Sequence, residues 1–230
     1  MQGQGQRMAD GFFVNFCGLD KMSEKEKREK FADMDIVMTG FAGLKGSAIL
    51  ACEKYDILLS RYPVSFLEGA KNSEKLLWQI PEAAPAGKSD DCSAYSFSEK
   101  SITAMYLLSE GGVFAGLWNM GKSAGVGLKI YRRDIPVRQE TVEICNFFDV
   151  NPYQMWSEGS CLLLTESGYR LKKSLQEKGI FSEIIGFTTG NNDRIVINGE
   201  EKRYLEKHYE DALDLIGRTD GNLDADGRKR

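Results

Sequence analysis

The chain of 230 residues is 42% hydrophobic and 28% charged, with a formal net charge of −4; it holds enough apolar material for a sizeable core and has no global attraction for nucleic acid or anionic lipid. No apolar run approaches the ~20 residues that cross a bilayer, and the start MQGQGQRMAD lacks the apolar stretch of a secretory signal, so a cytoplasmic protein without membrane attachment is expected. Cys17, Cys52, Cys92, Cys145 and Cys161 show no C-x-x-C spacing and His208 is the single histidine, which disfavours a disulfide framework, a zinc site and a Ser-His-Asp triad, so no metal site is expected.

In chain order, residues 1–33 read as a peripheral segment: a Gln-Gly start, the apolar patch FFVNF, and SEKEKREKFAD, whose Glu and Lys content suits a solvated helix. The patch is either a residual strand or a docking surface for another chain. DIVMTG then reads as a buried strand and FAGLKG as a glycine-punctuated turn. SAILACEKYDILLSRY reads as one helix ending before Pro63, with Ala48, Ala51, Cys52, Tyr55, Leu58 and Leu59 on one face. VSFLEGAKNSEKLLWQI is a second helix, and the polar stretch from Pro81 to Lys100 a connection.

The central stretch is SITAMYLLSEGGV, Ser101 to Val113: a short apolar strand, then Ser109-Glu110-Gly111-Gly112, then the helix VFAGLWNMGKSAG. Adjacent glycines at a strand-to-helix junction let backbone approach closely, and the first N–H groups of the new helix have no intrahelical partner. The junction is either a packing turn or a dock for a phosphate or carboxylate. GVGLKIY follows as a strand, and IPVRQETVEICNFF as a helix with Pro136 near its first turn. Val137, Thr141, Ile144, Cys145 and Phe148 form a stripe on it that is expected to face a sheet.

NPYQMWSEGS links to the strand CLLLT, after which come the helix GYRLKKSLQEKG, closed by Gly179, and the strand FSEIIGFTT. RIVINGEEKRYLE is a hairpin with its turn at Asn198-Gly199. Residues 208–230 read as a polar, disordered tail. The order of elements predicts an α/β (α+β) domain over residues 34–207, a layered sheet covered by helices.

These blocks in succession, DIVMTGFAGLKGSAILA, ITAMYLLSEGGVFAGLWNMGKSAGVGLKI, IPVRQETVEICNFFDVNPYQMWSEGSCLLLT and Gly-Phe-Thr-Thr-Gly with its hairpin, resemble the C-terminal domain of the AIR synthase-related superfamily. Within it the likeness is greatest to the hydrogenase maturation factor that dehydrates a carbamoylated cysteine, and to its uncharacterised relatives. The resemblance implies a sheet packed on helices, ATP with magnesium as cofactor, and a preceding domain that carries most of the ATP and magnesium ligands. The 33 residues before the resembling region are too few for such a domain.

The motifs also depart from the family pattern. Relatives read Thr-Ala-Met-x-Asp-x-Thr-x-Gly-Gly, and here Leu107 stands at the Asp position, where it can neither accept a hydrogen bond nor hold a cation. Leu44-Lys45 replaces an Asp-His pair. Ser157-Glu158-Gly159-Ser160 resembles the family's Asn-Glu-Gly-Lys or Ser-Ser-Gly-Ser block. Glu158 is thereby the candidate for proton transfer, or else a solvated loop glutamate, and Ser109, Glu110, Gly111, Gly112, Gly159 and Ser160 are the candidate nucleotide ligands. The chain ends in Gly-Arg-Lys-Arg rather than in the family's reacting cysteine, and Cys161 falls in a buried strand.

Three functions follow as expectations. One is a degenerate relative that binds a nucleotide or partner without turnover. The second is half of a split ATP-dependent enzyme of the AIR synthase type, completed by another chain. The third is an interaction domain without ligand. The expected partner is another protein or a second copy of this chain, with no nucleic acid and no membrane.

Overall fold

The computed structural model describes residues 13–14, 22–76, 83–85, 95–97, 101–207 and 209–220. The strands are β1 (Phe13–Val14), β2 (Asp35–Thr39), β3 (Ala83–Pro85), β4 (Tyr95–Phe97), β5 (Ala104–Leu107), β6 (Gly127–Tyr131), β7 (Cys161–Thr165), β8 (Ser182–Thr189), β9 (Arg194–Asn198) and β10 (Glu201–Tyr204). The helices are α1 (Glu24–Phe31), α2 (Leu44–Glu53), α3 (Tyr55–Leu58), α4 (Val64–Asn72), α5 (Gly112–Ala124), α6 (Gln139–Phe147), α7 (Gly168–Glu177) and α8 (Ala212–Asp220). Eight strands form one sheet in the order β1-β5-β7-β2-β8-β6-β9-β10, and β3 pairs with β4 separately. Neighbours in the large sheet run antiparallel except β6 and β9. The expected sheet covered by helices is therefore present.

Period-2 alternation sorts the central strands between two cores. Ile36 and Met38 of β2, Ala104 and Tyr106 of β5, and Leu162 and Leu164 of β7 face Val113, Leu117 and Met120 of α5. Val37, Met105 and Leu163, their neighbours in sequence, pack with Leu171 and Leu175 of α7 on the opposite face. A one-residue slip of any of these strands would exchange its two sets, so both faces hold the register. A third cluster is made by helices: Leu50 and Ala51 of α2, Ala70 of α4, Ile144 and Cys145 of α6, and Ala212 and Ile216 of α8.

The structure corrects several expectations. Of the stripe, Ile144, Cys145 and Phe148 face this helical layer rather than a sheet, while Val137 packs against the sheet's α5-side cluster; α6 begins at Gln139, so Val137 and Pro136 precede it, and the Pro136 carbonyl accepts the Ala42 N–H at 2.8 Å. The helix predicted over Ser47–Tyr62 begins earlier, at Leu44, and breaks at Lys54, which leaves Cys52 and Leu59 exposed. The connection expected from Pro81 to Lys100 contains β3 and β4.

The hairpin turn sits one residue later than expected: Asn198 pairs with Glu201, leaving Gly199-Glu200 as the turn, with only Gly199 at positive φ. The N-terminal segment is tied in. Helix α1 carries a capping box between Ser23 and Glu26, Phe31 is 1% exposed, and β1 pairs with β5. The rest of the FFVNF patch lies outside the described residues, as do Cys17, Cys92 and His208. The tail expected from residue 208 holds α8, whose Ala212 and Ile216 are buried. Among the described residues no helix is long and apolar enough to cross a membrane.

Candidate functional site

The two blocks singled out by the sequence meet at the end of β5 and β7. Leu107 pairs with Cys161, the Leu108 N–H donates to the Ser160 carbonyl at 3.0 Å, and the Ser157 N–H donates to the Ser109 carbonyl at 3.2 Å. Ser109 to Gly112 and Ser157 to Ser160 are thus adjacent because β5 and β7 are neighbours in the sheet. Gly111 and Gly112 adopt φ of +74° and +67°, the left-handed region that costs a side-chain-bearing residue energy. A Cβ on Gly112 would lie 2.6 Å from the Tyr153 carbonyl oxygen and 2.7 Å from that of Met155. Both the conformation and the close approach require glycine here.

The first N–H of this turn is occupied. The Gly111 N–H donates to Asp211 Oδ2 at 2.7 Å, from the residue just before α8. Asp211 is 5% exposed and also accepts the Leu213 N–H at Oδ1 (2.9 Å). Burial pushes its carboxyl above the ordinary aspartate range, opposed by these N–H donors. The chain has placed its own carboxylate where the strand-to-helix turn offers an anion site. A phosphate at Gly111 would need the same N–H and would face a negative charge, so the turn as it stands does not fit the triphosphate of ATP.

The serines of the second block are also engaged by the fold. Ser157 Oγ accepts the Gly43 N–H at 2.9 Å and donates to the Met155 carbonyl at 2.8 Å. Ser160 Oγ accepts the Phe41 N–H at 3.1 Å and donates back to the Phe41 carbonyl at 3.2 Å. These contacts fasten the loop before α2 onto the loop before β7. Of the remaining candidates, Gly159 is buried at φ +87°, Ser109 and Glu158 are half-buried, and Glu110 is exposed. Leu107 is partly buried against the α7-side cluster. Cys161 is fully buried, shares a hydrogen bond of 3.2 Å with Thr39, and has its thiol pushed up to about 12 by burial, which leaves no thiolate at neutral pH. Among the described residues no group of three His, Cys, Asp or Glu is placed to hold a metal ion.

Sequence reasoning missed Asp211. Its position immediately before an apolar helical run is an N-cap signal for α8. Its reach to Gly111, 100 residues away in the chain, has no local signature.

No protein-family model matches the chain. The E. coli HypE structure superposes with a TM-score of 0.58 at 14% identity, covering 87% of this chain and 55% of that one. The chain shares the fold of HypE over that part. A HypE hydrogenase maturation protein in complex with ATP gives a TM-score of 0.56 at 14% identity over 82% of this chain and 54% of that one. A chain of a HypE–HypF complex gives 0.54 at 18% identity over 77% and 53%. In sequence, a protein of Methanocaldococcus jannaschii named for hydrogenase expression/formation is 28% identical over 100 residues, 42% of this chain and 30% of that protein. The chain therefore spans about half the length of the HypE structures that it matches and less than a third of that sequence relative.

Proposed function

We propose that the chain is a hydrogenase maturation factor-like binding protein, corresponding to the C-terminal domain of the AIR synthase-related fold, that engages a nucleotide or a protein partner without turning over ATP by itself. The observation that carries this reading is the Asp211 carboxylate on the Gly111 N–H: the turn that would take a phosphate takes an internal anion instead. The engaged hydroxyls of Ser157 and Ser160 and the leucine at position 107 point the same way. A HypE solved with ATP and a HypE solved with HypF supply the two classes of ligand by analogy of fold.

The test is phosphate release from magnesium ATP. The isolated chain is expected to give none above background. Release that is abolished by Glu158→Ala would overturn the reading. A second reading, half of a split ATP-dependent enzyme, is favoured by one feature: Glu158 is half-buried in the loop joined to the Ser109 carbonyl, where a completing chain could use it as a base. In that case release appears only on adding a protein with the ATP-binding half, and Glu158→Ala removes it.

A further inference from the structure

The β9–β10 hairpin has two faces, and they differ. On the α5 side, beside the Gly111 turn, lies an aromatic concavity that its own side chains take up: Phe114 stacks on Tyr153 with ring centroids 5.3 Å apart, and the Arg132 guanidinium lies 5.7 Å from the centre of the same ring. The other face is open. Val196 of β9 and Leu128 and Ile130 of β6 belong to the α5-side core, so Ile195, Ile197, Lys129 and Tyr131, their neighbours in sequence, point to the face that carries α7.

The register joins these residues into one surface. Lys129 stands opposite Phe187 on one side and Ile195 on the other, Ile195 stands opposite Tyr204, and Ile197 lies between Tyr131 and Lys202. Helix α7 rests on β2 and β8. Beyond β8 the face meets solvent: Phe187, Lys129, Tyr131, Ile195 and Ile197 are half-buried, Lys202 is exposed, and Tyr204 is 68% exposed. A shallow concavity of about 190 Å³ lies here, among Lys129, Ile195, Ile197, Lys202 and the turn at residues 189–193.

Three observations define what fits this surface. Strand β9 carries Ile-Val-Ile, apolar on both faces, which is the pattern of a strand covered on both sides; a half-solvated strand alternates with polar residues. The charges at the centre of the face are of one sign. Lys129 lies over the Phe187 ring at 5.6 Å, Lys202 stands beside Ile197, and neither makes an ion pair among the described residues. Asp193, the acid of the lining, accepts from the Asn191 side chain at 3.1 Å. An isologous second copy would set the lysines against themselves, so an occupant of opposite charge is favoured. Finally, the edge strand β10 bears Glu201, Lys202 and Arg203, charges that blunt the addition of a further strand, whereas a helix laid beside α7 at about 10 Å would lie over β6 and β9.

We propose that this half of the sheet face is a docking site for an acidic amphipathic helix of another protein, with its apolar stripe on Tyr131, Ile195 and Ile197 and its carboxylates on Lys129 and Lys202. The site gives the partner-binding side of the proposed function its chemistry and rests on that reading for its role. It lies on the opposite face of the sheet from α5, and its test contains no ATP, so its failure is distinct from a failure at the Gly111 turn.

The probe is a labelled synthetic helix of about 18 residues, with leucines at i, i+3, i+4 and i+7 spacing flanked by glutamates, beside a counterpart with lysines in their place. Fluorescence anisotropy with the full chain should show saturable binding of the acidic helix, at least about tenfold tighter than the basic one. Amide shifts on binding should fall in β6 and β9. Lys129→Glu with Lys202→Glu should weaken the acidic helix about tenfold and reverse the preference, and Lys202→Glu alone, at an exposed side chain, should weaken it about threefold. Ile197→Asn should weaken both helices, with far-ultraviolet circular dichroism showing each variant folded. Absence of saturable binding at millimolar helix overturns the proposal, as does a double variant that binds the acidic helix as the parent does. A dimer by light scattering that Ile197→Asn dissociates would assign the face to a second copy and equally overturn it. So would sedimentation with phosphatidylserine vesicles that the double variant abolishes while the acidic helix fails to bind.

Discussion

The first turn of α5 and the aromatic concavity beside it are neighbours, and Tyr209 lines both the latter and the polar cleft at Gly111 and Asp211. They differ in how their polar groups are satisfied. At the turn, the Gly111 N–H already has a buried carboxylate; at the concavity, the exposed Arg132 guanidinium lies over the Tyr153 ring at 5.7 Å, with Glu201 and Glu206 in the same lining. The lesson is that an anion-binding geometry is not an anion-binding site until its competitors inside the chain are counted. The glycines make the turn possible, and Asp211 decides what occupies it.

The contrast can be broken most forcefully at the turn. Gly112→Val combines a left-handed backbone with carbonyl oxygens 2.6 and 2.7 Å from the new Cβ, and should cost about 3 kcal/mol or more by urea denaturation. A loss under 1 kcal/mol would mean that the loop at residues 153–155 yields. Asp211→Ala leaves the Gly111 and Leu213 N–H groups without their acceptor and is expected to cost about 2 kcal/mol, with hydrogen exchange increasing first in α8. If exchange in α8 is unaltered, the carboxylate is not what docks that helix. Ser157→Ala removes the acceptor of the Gly43 N–H and should cost about 1 kcal/mol. Tyr204→Ala, at the open place, should change stability by less than about 0.5 kcal/mol.

The pH dependence sharpens the same comparison. Because burial raises the Asp211 carboxyl in the folded protein, its proton is held more readily folded than unfolded. The resulting stabilisation is complete below the unfolded value and is lost as pH rises through the higher folded one. Lowering the pH from 7 towards 4 should therefore shift the stability difference between the parent and Asp211→Asn in favour of the parent. A shift of opposite sign would show that the N–H donors of Gly111 and Leu213 outweigh burial.

Much of the fold was legible in the residues. The runs DIVMT and CLLLT are apolar on both sides because both faces of the sheet are covered, and they form β2 and β7 as read. The stripe on α6 was read with the right periodicity and the wrong partner, since periodicity reports that a face is buried and not what buries it. The tail was read as disordered from its polar composition, yet Ala212 and Ile216 find a surface offered by α2, α4 and α6. Both misreadings concern contacts between segments far apart in the chain.

For the candidate site the division is the same. The adjacency of glycines at a strand-to-helix junction, an apolar leucine at position 107 and the burial of Cys161 are local facts, determined by the order of residues alone. That Ser109 and Ser157 share a hydrogen bond required β5 and β7 to pair, and that the turn is filled required Asp211 to arrive from the far end of the chain. Propensity and periodicity act within a few residues of their source, whereas a buried N–H takes whichever acceptor the packed layers bring within about 3 Å, and only the tertiary structure chooses it.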